Sequence, residues 1–418
     1  MKINILKKKS TSLSLFILWL LLLNVAPFAF FVLSWHPYKF LSFGLLFLIF
    51  ILILSKKKIT ILYKELYVIL IIQIIFYGFY FVLHRDFAYV NLIIQDVSII
   101  LVSIFILIYF GYERFIESYV FLMKVMVVLG VLVFFYALFG GRYFDTFKYI
   151  DGRNVYNYLI SFGRSPFEVG NGTLIRISGF FDEPGTFGFF LIQAILLNKI
   201  YFNNRRNEII LIVGGFFTLS VAFYISLFLF FLLFYFSYRR LMYLFISLFL
   251  FIILFQFLEN NKNKSETYFK IHAQTIGRIE GLYNNKEKGE VIANNRKQLA
   301  ERALIAFKDA PLFGHGITTV NPKYGYFGAN ILGTLANHGI LGVFFVFMPF
   351  LMVFIISLFI KTSTFGINEI FKACLILLVN YLQRPDVTGL LIVTLLISFY
   401  LKGKELYVNN LNSGNIDE

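Results

Sequence analysis

Apolar runs of about twenty residues recur along the chain, separated by short basic or aromatic breaks. At ~1.5 Å rise per residue, a helix of that length crosses the hydrocarbon core of a bilayer. The first run covers roughly Thr11 to Trp35, after Lys2, Lys7, Lys8 and Lys9. His36-Pro37-Tyr38 turn the chain into a second, which ends at Lys56-Lys57-Lys58. A third, Leu62 to Leu83, ends at His84-Arg85-Asp86, and a fourth, Tyr89 to Gly111, ends at Tyr112-Glu113-Arg114. The fifth, Ser118 to Gly140, opens into a long polar loop, 141–184. A sixth, Gly185 to Phe202, stops at Arg205-Arg206. The next apolar stretch reaches Phe236, too long for one ordinary span and short for two. It predicts two short helices turning near Thr218-Leu219-Ser220. A ninth span, Leu241 to Leu258, precedes the second polar loop, 259–337. The tenth runs from His338 to Ile360, and the eleventh ends near Tyr381, before Gln383-Arg384-Pro385-Asp386. The twelfth ends at Lys402-Gly403-Lys404, followed by a polar tail.

The pattern predicts an all-α polytopic membrane protein of about twelve transmembrane helices, one transmembrane domain over 1–418. Lys56–Lys58, Arg114, Arg205-Arg206, Arg239-Arg240, Lys361 and Lys402/Lys404 all fall on one side if both termini are cytoplasmic. Basic residues favour that side, so the two long loops are expected outside, each carrying short helices. Hydrophobic residues make up 59% of the chain and charged ones 15%, which excludes an ordinary soluble domain. A net charge of +15 would suggest nucleic acid in a soluble protein; here inner-leaflet anchoring explains it, and no nucleic-acid partner is expected. The single Cys374 excludes an internal disulfide and falls in an apolar run, where packing is its expected role. The first run is too long for a cleavable signal and lacks a small-residue cleavage site. Asp96 lies inside its span, where an acid is a functional candidate. Pairing with a polar neighbour is expected for it, because the chain of membrane-depth acids that an ion-coupled pump needs is missing.

Two polar stretches carry the candidate chemistry. Arg176 to Gly188 reads Arg-Ile-Ser-Gly-Phe-Phe-Asp-Glu-Pro-Gly-Thr-Phe-Gly and runs into the sixth span. Pro184 fits the first position of a helix, and Asp182 and Glu183 lie where the positive helix end favours carboxylates. An ion pair of Arg176 with Asp182 or Glu183 is the plain structural alternative. In the second loop, Asn294 or Asn295 can cap a helix over Arg296 to Lys308, which Pro311 stops. Leu299, Ala303, Ala306 and Phe307 recur at helical spacing, so this helix is expected to lie on the membrane surface or the bundle; Arg302 reads as a surface charge. Pro311-Leu312-Phe313-Gly314-His315-Gly316 follow, then Asn330 and Leu335-Ala336-Asn337-His338-Gly339-Ile340-Leu341-Gly342.

In this order and on this topology, the sequence resembles the O-antigen polymerase (Wzy-type) and O-antigen ligase superfamily of membrane glycosyltransferases. Four places carry the resemblance: Arg176 to Pro184, the helix from Arg296 with Pro311 to Gly316 behind it, Asn330 leading into Leu335 to Gly342, and Gln383 to Asp386. No histidine precedes Asn330 as ligases of the superfamily commonly have, and the Arg-x-x-Gly-x-Phe-x-Glu-Pro stretch favours a polymerase. The resemblance implies transfer of a growing glycan from undecaprenyl pyrophosphate to a sugar hydroxyl of the next lipid-linked repeat unit. The setting would be the outer face of a bacterial cytoplasmic (inner) membrane, in lipopolysaccharide or capsule synthesis. A flippase and a chain-length regulator would be companions.

That chemistry needs cations for the diphosphate and a base for the acceptor hydroxyl. Arginine suits the first because its planar guanidinium stays charged and binds phosphate oxygens in pairs. Arg176, Arg296 and Arg384 are the candidates for the pyrophosphate. Glu183, His315 and His338 are the candidates for proton removal, with Asn330, Asp182, Gly314 and Gly316 in support. Each has a structural alternative: Glu183 as helix cap, His338 as an interfacial histidine, Arg384 as a turn residue, Asn330 as an orienting group. No metal or other cofactor is expected, and no phosphate-binding Walker loop or nucleophile–His–Asp pattern occurs. The remaining alternatives are a ligase that moves finished glycan to another acceptor and a lipid-linked oligosaccharide flippase. A flippase should line its cavity with cations inside the spans, whereas the arginines here sit in loops.

Overall fold

The structure is a computed structural model. It describes residues 64–143, 145–148, 154–158, 163–165, 175–179, 181, 183–236, 291–318, 320–325, 327, 330–360, 368–385 and 389–414, with isolated positions at 44 and between 253 and 264. The expected first span lies outside the described residues, and so do the second and ninth apart from those isolated positions. Asp182, the side chain of Arg296 and the basic clusters at 56–58, 239–240 and 361 lie outside them too.

The described chain is mostly helical. α1 is Lys64–His84, α2 Ala88–Phe110 and α3 Tyr112–Leu138. α4 is Pro184–Tyr201, α5 Arg205–Phe217 and α6 Val221–Phe234. α7 is Val291–Asp309, α8 Val320–Tyr324, α9 Ile331–Val346, α10 Met348–Phe359, α11 Glu369–Gln383 and α12 Leu390–Gly414. Among the described residues, three helices, over Leu66–His84, Ala88–Leu107 and Tyr112–Leu138, are long and apolar enough to cross a membrane; α9 with α10 makes a fourth candidate, bent by 41°. Outward faces are apolar in the way a bilayer favours. On α1, Val68, Ile71, Ile75, Phe79 and Val82 form an exposed stripe at helical spacing.

α4 is the helix the others surround. Nearly every residue from Pro184 to Ile200 is buried, and α3, α5, α6, α11 and α12 pack around it. A helix apolar on all sides belongs inside a bundle. The predicted turn at Thr218–Ser220 is present: Leu219 adopts φ 47° there and separates α5 from α6. Cys374 is buried, as its apolar run suggests.

Several expectations are corrected. The first loop carries no helix among its described residues; it carries a four-stranded antiparallel sheet of consecutive strands, β1 Asp145–Lys148, β2 Asn154–Tyr158, β3 Gly163–Ser165 and β4 Arg176–Ile177. The fold is therefore not all-α. α7 begins at Val291, so Asn294 and Asn295 lie within it and do not cap it. The tenth span begins before His338, because Asn330 caps α9 by accepting the Gly333 N–H at 2.9 Å. α12 continues beyond Lys404 to Gly414, through part of the stretch read as tail.

Candidate functional site

The four motif stretches come together as two couples. The first couple joins the entry to α4 with the exit of α11. Ile177 of β4 fits against Gly130 of α3, where a Cβ would stand 3.1 Å from the isoleucine Cβ. Phe181 stacks on Phe190 and Phe187. These contacts hold the loop end against the bundle and place Glu183 as the N-cap residue, with Pro184 opening the helix. The Glu183 side chain does not cap its own helix. Its Oε2 accepts from Arg384 Nη2 at 2.5 Å, and both side chains keep partial exposure, 30% for Glu183 and 22% for Arg384. Asn380, a turn earlier on α11, donates to the Phe189 carbonyl of α4 and fixes the two helices in register.

Arg176 takes a different place. It is buried in β4, where its Nε donates to the Thr218 carbonyl at 2.8 Å and its Nη2 to the Leu219 carbonyl at 3.0 Å. Carbonyls at a helix C-terminus have no partner within the helix, so a cation there satisfies the chain and the helix dipole together. Arg164, not singled out in the sequence, lies directly opposite Arg176 in the sheet.

The second couple is a backbone interlock. The α9 helix breaks at Gly339, with φ 67° and ψ −175°. The His315 and Gly316 N–H groups donate to the carbonyls of Ala336 and Asn337, and those of Ile340 and Leu341 donate to Pro311 and Leu312. The Pro311–Gly316 turn thus supplies the hydrogen bonds that the broken helix lacks. Gly314 and Gly339 permit the approach: a Cβ on either would lie within 2.5 Å of the other segment's backbone.

Beneath this interlock sits a cluster the sequence reading did not assemble. His338 is buried, its Nδ1 3.3 Å from the Tyr89 hydroxyl, while the Tyr80 hydroxyl donates to its carbonyl at 2.6 Å. His84 Nε2 donates to the Phe313 carbonyl, and Asp86 accepts the Thr318 and Ala88 N–H groups. Burial alone would raise the Asp86 pKa, but the N–H donors of Thr318 and Ala88 outweigh it and hold the carboxyl below its ordinary value of 3.8. Asp96 accepts from Tyr77 at 3.0 Å, the polar pairing expected of it. His315 is half-buried, with Nε2 2.8 Å from the Ala306 carbonyl; a carbonyl only accepts, so this nitrogen carries the proton. Arg302 is exposed.

The segments that carry Arg296 and Arg176 pack chiefly on different elements. α7, which carries Arg296, packs chiefly on α9 and α8, whereas β4 packs on β3, α3, α4 and α5. Among the described residues, no group of three or more His, Cys, Asp or Glu is placed to hold a metal ion. The chain matches no protein-family model, and no curated protein matches it.

Proposed function

We propose that the chain is a multi-pass glycosyltransferase that polymerises lipid-linked oligosaccharide repeat units at the outer face of a bacterial cytoplasmic membrane. Its reacting centre is the rim between Glu183 and Arg384. The observation that carries this assignment is their meeting: two stretches 201 positions apart, each read as chemical, join in one partly exposed ion pair. An arginine beside a carboxylate suits glycosyl transfer from a diphosphate.

In the reaction, a sugar hydroxyl of the incoming repeat unit attacks the anomeric carbon of the growing glycan. The bond from that carbon to the diphosphate oxygen breaks, and its electron pair leaves with the undecaprenyl pyrophosphate. Arg384 stabilises the charge that gathers on the leaving oxygen. The hydroxyl proton passes to Glu183. Arg176, whose Nε and Nη2 donate to the Thr218 and Leu219 carbonyls, supports the α5–α6 turn. His315 and His338 bind within the second couple and hold the second loop on the bundle.

The test is to delete the gene and size the surface glycan, then to complement with Arg384→Ala and Glu183→Gln. A collapse to single repeat units in all three is expected. A full-length glycan left on the carrier would instead identify a ligase, and intermediates trapped inside a flippase. Wild-type chain length in either variant removes that residue from the centre.

A further inference from the structure

We infer that the Glu183 carboxylate is a place-holder for the donor diphosphate: it occupies the Arg384 guanidinium in the free protein and is displaced when the diphosphate arrives. This rests on the glycosyl-transfer reading above and adds an order of events to it.

The geometry supports exchange at this pair in particular. The bond is short, yet both side chains reach the rim, so neither is sealed in. Gly185 lies beside the guanidinium: a Cβ there would meet Arg384 Nη2 at 3.6 Å, an ordinary contact distance. A diphosphate carries more charge than a carboxylate and offers paired oxygens to the guanidinium fork, so it competes well for the same donors. In the empty site the Glu183 carboxylate balances the Arg384 charge.

Displacement has a chemical consequence. While bound to Arg384, the carboxylate oxygen is occupied by the guanidinium N–H and is not presented to an acceptor hydroxyl. Once the diphosphate takes the guanidinium, the carboxylate loses that cation, lies beside the reacting carbon and can accept the hydroxyl proton. The base is therefore armed only with the donor seated.

The experiment measures inorganic pyrophosphate binding to the full-length protein in lipid nanodiscs by titration calorimetry. Glu183→Gln should bind about fivefold tighter than wild type, the factor that a partly exposed ion pair contributes at its upper end. Arg384→Ala should lose most of the binding, and the double variant should bind no tighter than Arg384→Ala alone. If Glu183→Gln does not insert, Glu183→Asp takes its place; its shorter side chain lengthens the pair and should tighten binding in the same direction. Unchanged or weaker binding on altering Glu183, with Arg384→Ala still weakening it, overturns the exchange and leaves the site intact. Binding that survives Arg384→Ala overturns the site itself.

Discussion

Arg176→Ala separates a structural role from a chemical one. Two hydrogen bonds from a charged, buried donor would be lost, at 2.8 and 3.0 Å. The carbonyls of Thr218 and Leu219 would lose those donors at the break between α5 and α6. At about 1.5 kcal/mol for each bond to a charged group, the loss is ~3 kcal/mol. For a chain of this size, ~2 °C per kcal/mol lowers the melting midpoint by about 6 °C. Arg176→Lys should keep roughly half, since a single ammonium on a flexible stem replaces a planar fork. The assay is thermal unfolding of the detergent-purified protein followed by size-exclusion, run beside Arg384→Ala. The latter removes only a partly exposed pair and should cost about 1 kcal/mol or less. If Arg176→Ala melts with the wild type and yet makes no polymer, the guanidinium acts on substrate and its assignment to the helix break is wrong.

Two further perturbations probe the second couple. Gly339→Ala puts a Cβ 2.3 Å from the Leu312 carbonyl oxygen at a residue with φ 67°. Left-handed backbone costs ~1–2 kcal/mol and the overlap ~1–3 kcal/mol more, so expression of monodisperse protein should collapse; normal yield would refute the interlock. Asp86→Asn should lower the melting midpoint at pH 7. Because the folded carboxyl lies below its ordinary value of 3.8, its stabilisation is complete above that value and fades as pH falls beneath it. The gap between wild type and Asp86→Asn, followed from pH 7 to acid, should therefore close only at the acid end; a gap that closes near neutrality refutes the carboxylate's role.

The apolar pattern carried much of the helical layout. Helices α1 to α4 begin and end near where hydrophobic runs meet charge, and the Thr218–Ser220 turn followed from a run of awkward length. Boundaries failed where a local signal had a competitor. Asn294 and Asn295 can cap a helix, yet the helix passes through them, because cap propensity is weak beside continued helical bonding. His338 read as the start of a span because polar Asn337 and His338 interrupt the apolar run; the chain is already helical there, capped at Asn330. The sheet in the first loop left little trace, since strands of three to five residues offer too few positions for alternation to register.

The candidate residues were legible one by one, and their partners were not. Charge alone makes Glu183 look like a mate for Arg176, seven positions away, and sequence proximity favours that choice. The competitors are backbone carbonyls at a helix break and the arginine that follows α11, both brought in by packing around α4. A carbonyl acceptor has no residue type, so no pattern announces it; only the positive φ at Leu219 marks where unpaired carbonyls gather. Distance in sequence hid Arg384 for the same reason. Asn380, which ties α11 to the Phe189 carbonyl, is what lets Arg384 reach Glu183. Moving a cation by one helical turn on α11 would leave its composition intact and dissolve the pair. The pairing is therefore a property of helix register around α4, and register is what a list of charged residues does not contain.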